Sequence, residues 1–158
     1  MSTHRATPWR RYNPFYALLG ARLCAGHREV KFALHFALWD AFKEVAQQPL
    51  TRSANTARLL AQLLSREALP AAVLKVVQWE RLGEREIFFW QACFVELLGG
   101  AAGRAARALR PLAAPELAAT RDGALLFCER HMRPLVRRAH PALVAPLRAL
   151  VAALSEAD

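Results

Sequence analysis

Histidine and cysteine are the side chains of this sequence that could bind a metal ion or act as nucleophiles. His27 and His35 are about two helical turns apart, and no cysteine or paired carboxylate completes a ligand set with them. Cys128 and His131 are spaced to share one helix face, but they supply only half of the ligands of a structural zinc site. The sequence therefore predicts no metal site.

Sequence motifs of nucleotide-binding proteins and hydrolases are missing. The chain has no GxxxxGK or GxGxxG loop for phosphates, no HExxH and no GxSxG around a nucleophilic serine. Glu80, Glu84 and Glu86 are neighbours in sequence, but carboxylates beside Gly83 are more typical of a solvated helix start than of acid–base catalysis. We therefore expect no catalytic residue, no cofactor and no small-molecule substrate.

The cysteines are expected to be buried, unpaired thiols. Cys24, Cys93 and Cys128 are far apart and lie in apolar stretches, which indicates a reducing compartment. The first dozen residues lack the apolar core of a secretory signal, and no apolar stretch is long enough to span a membrane. Because the start is free of acids and contains several arginines, a transit peptide stays open as an alternative.

Arginine provides most of the charge with which this chain could hold a partner. The 158 residues include 22 lysines and arginines and 13 aspartates and glutamates, for a net charge of +9, and 19 of the 22 basic residues are arginine. Residues 1–79 carry 11 basic and 4 acidic side chains, so +7 of the charge lies in the first half. Such a charge favours a polyanion or an acidic protein as partner. A GC-rich coding bias, which also raises arginine content, is the competing explanation.

The composition favours helices over strands. Alanine and leucine together account for 57 residues, whereas valine and isoleucine account for 10. A chain of this length is expected to form one domain with a substantial core. We expect an all-α fold in which short loops join antiparallel helices into stacked hairpins, as in a HEAT-like α-solenoid of seven or eight helices.

Caps and breaks in the sequence divide the chain into these helices. Asn13 and Pro14 predict the start of the first helix, and Gly26 predicts its end. Polar residues are scattered around the second helix, over about 29–46, which is typical of a central helix with neighbours on both sides, so we expect Trp39 in the core. The other predicted helices lie over 51–66, 70–82, 84–98, two short pieces within 101–119, 120–133 with a break at Pro134, and a last helix after Pro141 with a bend at Pro146.

The helix over 84–98 has apolar residues around its whole axis, so we expect it to be buried. Trp90 within this helix and Trp79 at the end of the preceding one are expected in the core.

The helix over 51–66 has one apolar and one polar side, and no residue of the polar side is acidic. We select this side as the partner-binding candidate: Arg52, Asn55, Arg58, Gln62 and Arg66. Arginine makes paired hydrogen bonds with carboxylates and with phosphates, so both a protein and RNA stay open as partners. The remaining arginine clusters are the candidate RNA contacts: Arg10, Arg11, Arg104, Arg107, Arg130, Arg133, Arg137 and Arg138.

Three segments of the chain resemble a known family. They are YNPFYALLGARLC at 12–24, KFALHFALWDAFKEV at 31–45 and TARLLAQLLSREALPAAVLKVV at 56–77. In order and spacing they are similar to the C-terminal MI domain, also called MA3, of the nucleolar MIF4G-domain proteins, the yeast Sgd-like family. The resemblance is strongest over 12–98, and beyond it RDGALLFCERHM at 121–132 is similar to the family's penultimate helix. It implies one MI-type helical domain over residues 12–156, preceded by a basic N-terminal extension over 1–11.

The resemblance also implies a function. It implies a non-catalytic protein-interaction module of a nucleolar factor for small ribosomal subunit biogenesis and pre-rRNA processing, located in the nucleus and nucleolus. The partner would be a protein of a pre-ribosomal particle, and a DEAD-box helicase is one candidate, since related MI domains in translation and splicing factors dock such helicases. The alternatives are an arginine-dependent RNA-binding domain and the MI domain of a splicing or translation-initiation regulator. The family's middle domain is absent from these 158 residues, so helicase recruitment through it is not implied.

Overall fold

A computed structural model describes residues 13–156, and within them the chain forms eight α-helices and no strand. The helices are α1 (Pro14–Gly26), α2 (Arg28–Glu44), α3 (Leu50–Ser65), α4 (Glu84–Leu98), α5 (Arg104–Leu109), α6 (Ala118–Phe127), α7 (Arg133–Ala139) and α8 (Val144–Ser155). The prediction of an all-α, HEAT-like fold with seven or eight helices is confirmed. In the part of the chain that the structure describes, no helix is long and apolar enough to cross a lipid bilayer.

The first helix begins where its capping residue predicts. The Asn13 side chain accepts a hydrogen bond from the backbone N–H of Phe15 at 3.0 Å, and Pro14 occupies the first helical position, where a missing N–H leaves no hydrogen bond unmade. The helix ends at Gly26, also as predicted. A single residue, His27, then connects α1 to α2, so the two helices form the first hairpin of the stack.

The centre of the molecule is the pairing of α3 with α4. The apolar side of α3 is buried as predicted, with Leu60 and Leu63 fully enclosed. From residue 87 to residue 98 helix α4 has no exposed side chain, and Phe89, Trp90 and Phe94 are fully buried. The prediction that the helix over 84–98 is buried is therefore confirmed, and α4 takes the central position.

The prediction that α2 is a central helix is wrong. Leu38 is the one residue of α2 that is fully buried, and Phe32 and Phe36 are exposed. Helix α2 packs on α1 and on the segment 71–76, and near its C-terminal end the Phe42 ring contacts Phe89 and Trp90 of α4. Trp39 is only half-buried, although its indole N–H donates a hydrogen bond to the Val73 carbonyl at 2.9 Å.

The predicted helix over 70–82 is also wrong, because two short 3₁₀ turns take its place. They cover Ala71–Val76 and Trp79–Arg81, and the backbone between them is not helical. Valine is stiff at its first side-chain torsion and lowers helix propensity, and three valines fall within this segment. The break allows Trp79 to enter the core. Gly83 caps α4 rather than ending a helix, and its N–H donates to the Glu86 carboxylate at 3.3 Å.

Pro134 does not end a helix, contrary to the prediction. Helix α6 continues through a π turn at Cys128–Met132 directly into α7, where Pro134 is the second residue. The backbone N–H of Arg133 bonds to the carbonyl of Cys128, five residues back. This wider turn accommodates the proline ring without interrupting the continuous helical segment that α6 and α7 form. Pro146 lies in the first turn of α8, where backbone N–H groups have no partner within the helix, so it removes no hydrogen bond there.

An aromatic cluster joins the two halves of the chain. The Trp79 ring lies 5.1 Å from the Trp90 ring and 5.5 Å from the Phe127 ring, measured between centroids. Trp79 also lies directly against Gly123 of α6, where a Cβ atom would be 2.7 Å from its Cγ. Trp79 and Trp90 are buried, as predicted. The cluster therefore depends on a position in α6 that has no side chain.

Truncation of Trp90 in the central helix α4 should destabilise the protein more than truncation of Trp39 in the outer helix α2. We expect Trp90→Ala to lower the free energy of unfolding by about 3–5 kcal/mol, as for other large-to-small core changes. Trp39→Ala should cost about 1.5–3 kcal/mol, because its ring is only partly removed from water. Urea unfolding followed by circular dichroism measures both values. Equal losses would show that α2 is as enclosed as α4.

The contact between Trp79 and Gly123 predicts a position that does not tolerate alanine. In Gly123→Ala the new Cβ would overlap the buried Trp79 ring, and such overpacking costs about 1–3 kcal/mol. Gly26→Ala is the matched control, since a Cβ there would meet nothing within 4 Å, and it should change stability by at most about 1 kcal/mol, upward. Thermal unfolding of both variants tests this. An unchanged stability of Gly123→Ala would contradict the close contact between Trp79 and Gly123.

Candidate protein-interaction surface

The outer side of α2 carries a row of aromatic side chains, which we call the aromatic ridge: Phe32, His35, Phe36 and Trp39. The ring centroids of His35 and Trp39 are 4.5 Å apart, and those of Phe36 and Trp39 are 5.7 Å apart, both edge to face. Phe32 and Phe36 are 50% and 57% exposed, which is unusual for large apolar rings. The ridge is a preformed apolar surface in contact with water.

Cations lie over the rings at both ends of the ridge. The Arg28 guanidinium is 5.4 Å from the centre of the Phe32 ring, and the Lys75 ammonium is 5.5 Å from the Trp39 ring. Such contacts are favourable and hold long side chains against the aromatic faces. Partial burial, followed by the positive charges of Lys75 and Lys31, lowers the pKa of His35 below its ordinary value. His35 is therefore a neutral ring at pH 7 and belongs to the apolar surface.

The ridge continues into a groove, which we call the aromatic groove. Its volume is about 440 Å³, and Phe36 and Trp39 form one of its walls. Phe89 and Trp90 of α4 line it from below, and the segment 76–82 closes the other side. The charged residues at its edge balance in sign: Asp40, Lys43, Arg81 and Glu86. An open groove with aromatic walls and no net charge suits bulky apolar side chains of a protein partner.

Helix α1 adds further exposed apolar surface. Phe15 and Tyr16 are 59% and 64% exposed, and three leucines of α1 are exposed with them: Leu18, Leu19 and Leu23. These side chains lie on the side of the helix opposite to the buried Ala17 and Cys24. Both helices of the first hairpin thus leave large apolar side chains in water, and concentrations of this kind mark interaction surfaces.

The exposed aromatic residues of α2 were not predicted from the sequence, because the scattered polar residues of this helix indicated a core position. A signal was nevertheless available. At 100° per residue, Phe32 and Phe36 share one side of the helix with Glu29, Asp40 and Lys43, three charged residues that require solvent. Aromatic residues mixed with charges on one helix side indicate an exposed apolar surface rather than a second buried side.

The structure places the candidate partner-binding residues along the outer side of α3, as predicted, but α4 contributes an acid to that side. The Gln62 amide donates to Glu96 at 2.9 Å, and the Arg58 guanidinium lies 3.6 Å from the other oxygen of the same carboxylate. The expectation of an acid-free surface is therefore wrong, since it considered α3 alone. Arg52 and Arg66 are exposed, whereas Asn55 is half-buried.

The candidate RNA contacts are distributed over different parts of the fold. Arg107 lies beside the end of α8, in a groove that also includes Arg110 and Glu156, and Arg104 is half-buried. Arg133 is paired with Glu129 at 2.6 Å. Arg130, Arg137 and Arg138 are exposed at the π turn and on α7. Arg10 and Arg11, like the whole extension over 1–11, lie outside the described residues.

The cysteines are free and buried, as predicted. Burial raises the pKa of all three thiols, in Cys128 to about 12, with smaller contributions from Glu96 to Cys93 and from Glu129 to Cys128. Thiols in this environment are poor nucleophiles. Over residues 13–156, no group of three or more His, Cys, Asp or Glu side chains is arranged to hold a metal ion.

Comparison with known proteins finds one family whose model matches part of the chain. Residues 2–70, which include α1, α2 and α3, match the MA3 domain. The chain is 37% identical over 87 residues to Nucleolar MIF4G domain-containing protein 1 of Mus musculus, a match that covers 55% of this chain and 10% of the relative.

Two further relatives agree with this result. The Homo sapiens protein of the same name is 35% identical over 78 residues, covering 49% of this chain and 9% of the relative. Suppressor of glycerol defect protein 1 of Schizosaccharomyces pombe is 29% identical over 97 residues, covering 56% of this chain and 12% of the relative. The chain thus spans about a tenth of the length of these curated relatives. The predicted resemblance is confirmed: residues 2–70 are similar to the MA3 (MI) domain, and the similar proteins include ones named as nucleolar MIF4G domain-containing proteins.

Proposed function

We propose that this chain is a non-catalytic protein-interaction module of a nucleolar factor for small ribosomal subunit biogenesis and pre-rRNA processing. MA3 domains mediate protein interactions, and the relatives are named as nucleolar proteins. The observation that carries the proposal is the aromatic ridge, which lies within the residues that match the MA3 domain, together with its adjoining groove. We further infer one MI-type domain over residues 12–156, with a basic extension over 1–11.

The chemistry of the described residues supports binding rather than catalysis. Among residues 13–156, the groups with a clearly shifted pKa are His35 and the three buried thiols. The aromatic groove provides apolar area, and full burial of one phenylalanine contributes about 1.5–3 kcal/mol. Two exposed rings on one helix therefore suffice for a binding hot spot.

A second contact region on α3 is part of the same proposal. Arg52 and Arg66 present exposed guanidinium groups, while Gln62 and Arg58 hold Glu96 between them. The region keeps excess positive charge but is less cationic than the sequence predicts. We therefore infer that the aromatic ridge provides most of the binding affinity and that the α3 arginines orient an acidic partner.

Binding to pre-ribosomal particles tests the proposal in cells. A tagged chain should co-sediment with small-subunit precursors from nucleolar extracts, and the association should persist after RNase treatment of the exposed RNA. Phe32→Asp combined with Phe36→Asp should reduce the bound fraction about tenfold or more, because both apolar contacts are lost. Leu50→Asp is the matched control, since Leu50 is similarly exposed but lies outside the ridge and groove.

Three outcomes would count against the proposal. An equal loss of co-sedimentation in the ridge variant and in the Leu50→Asp control would show that the ridge is not the specific contact. Association with splicing or translation-initiation complexes, through a DEAD-box helicase, would support the alternative regulator instead. Absence from the nucleolus would remove the ribosome biogenesis role while leaving a docking module.

Acidification should weaken binding at the ridge. His35 is neutral at pH 7, and a partner that covers it disfavours the charged ring further. The affinity for the partner should therefore be highest above the ordinary histidine pKa, and it should fall as the pH drops through the lowered pKa of His35. The measurement is a titration of partner binding between pH 7.5 and about 5.5. His35→Phe should remove this dependence; an unchanged profile in that variant would place the titrating group elsewhere.

Direct RNA binding is the second candidate, favoured by the net charge of +9 and the arginine clusters. It predicts an affinity for structured RNA that falls with salt, with a log–log slope of about −0.7 to −0.9 for each neutralised phosphate. Arg52→Glu with Arg58→Glu discriminates between the candidates. Unchanged RNA affinity together with lost protein binding supports docking, and the opposite result supports RNA binding.

A further inference from the structure

A second groove lies between α7 and α8, outside the segment that matches the MA3 domain. Its floor is aliphatic, formed by Val136 and Leu147, which are buried, and by the half-buried Val144 and Val151. The charged groups at its edge are three arginines and one acid: Arg133, Arg137, Arg148 and Glu129. The groove thus combines an apolar floor with a predominantly positive edge.

The positive charge of this edge is only partly compensated within the chain. Arg133 is bound to Glu129 at 2.6 Å, which uses the one carboxylate of the groove. Arg137 and Arg148 are exposed, and neither has an ion-pair partner among residues 13–156. Two guanidinium groups are therefore available to a ligand, and guanidinium groups bind carboxylates through paired hydrogen bonds.

The size and lining of the groove determine which ligand fits. Its volume is about 250 Å³, below the range of about 300–1,000 Å³ that is usual for small-molecule sites. It can hold one bulky side chain of a partner rather than a whole cofactor. No aromatic side chain lines it, so nucleic-acid bases would have nothing to stack on. The lining favours a peptide over RNA.

We propose that the α7–α8 groove binds a short acidic segment of a partner protein. A leucine or phenylalanine of that segment would occupy the floor between Val136 and Val151, and flanking carboxylates would pair with Arg137 and Arg148. The aromatic groove, whose edge charges balance, would not select such a segment. This inference is independent of the proposed function, because the two grooves share no lining residue.

Fluorescence anisotropy with a defined probe tests the inference on the full chain. The probe is a fluorescein-labelled synthetic peptide of about twelve residues, in which glutamate and aspartate flank two leucines and one phenylalanine. We expect saturable binding, and Arg137→Glu with Arg148→Glu should weaken it about tenfold or more, as is typical for the loss of interfacial charge pairs. Arg137→Gln with Arg148→Gln, which removes the charges without reversing them, should give a smaller loss.

Matched controls separate groove binding from general attraction between opposite charges. Arg107→Glu with Arg110→Glu changes the net charge by the same amount at another place on the surface and should leave peptide affinity nearly unchanged. A peptide with serine in place of its apolar residues should bind at least about tenfold more weakly, because it leaves the floor empty. Equal losses in both arginine pairs, or equal binding of the serine peptide, would overturn the proposal.

Two further measurements complete the test. A single-stranded RNA of similar charge should bind more weakly than the acidic peptide, and tighter RNA binding that is lost in Arg137→Glu with Arg148→Glu would make the groove a nucleic-acid site. Phe32→Asp with Phe36→Asp should leave peptide binding intact. A negative result for partner binding at the aromatic ridge can therefore be distinguished from a negative result for peptide binding at the α7–α8 groove. Circular dichroism of each variant confirms that it is folded.

Discussion

The packing of Trp79 between α4 and α6 is the contact on which the arrangement of this fold depends. Its indole meets Trp90 on one side and Phe127 on the other, and Phe94 stacks on Phe127 with ring centroids 5.6 Å apart. The close approach is possible because Gly123 has no side chain. Residues from three separate parts of the sequence thereby form one aromatic core, which fixes α6 against α4.

The exposed surface follows from this core. Because α4 is enclosed by α3 and by the aromatic cluster, it occupies the centre, and the hairpin of α1 and α2 lies on the outside. One side of α2 is sufficient to pack on its neighbours, so its remaining aromatic residues face water. The non-helical residues that bring Trp79 into the core also position the segment 76–82 opposite α2, and the aromatic groove forms between them. The same non-helical residues thus shape both the aromatic core and the candidate docking site.

Local rules predicted those features that depend on neighbours in sequence. The cap at Asn13, the two-sided α3 and the buried α4 all follow from residue spacing and terminal signals. The predictions failed where contacts between residues far apart in sequence determine the structure. Scattered polar residues could not show how many helices surround α2, and the proline rule could not anticipate the π turn before Pro134. The charge of the α3 surface depended on Glu96, a residue of another helix.

The two grooves differ in the physical property that each offers to a partner. The aromatic groove has balanced charge and large rings, so apolar burial would determine how long a complex persists there. The α7–α8 groove is smaller and positive, so it would mainly increase the rate at which an acidic segment is captured. A partner with an acidic segment joined to an apolar helix could engage both, and the second contact would then form at a high effective concentration. Selectivity on such a scaffold comes from the spacing of two modest sites rather than from the strength of either.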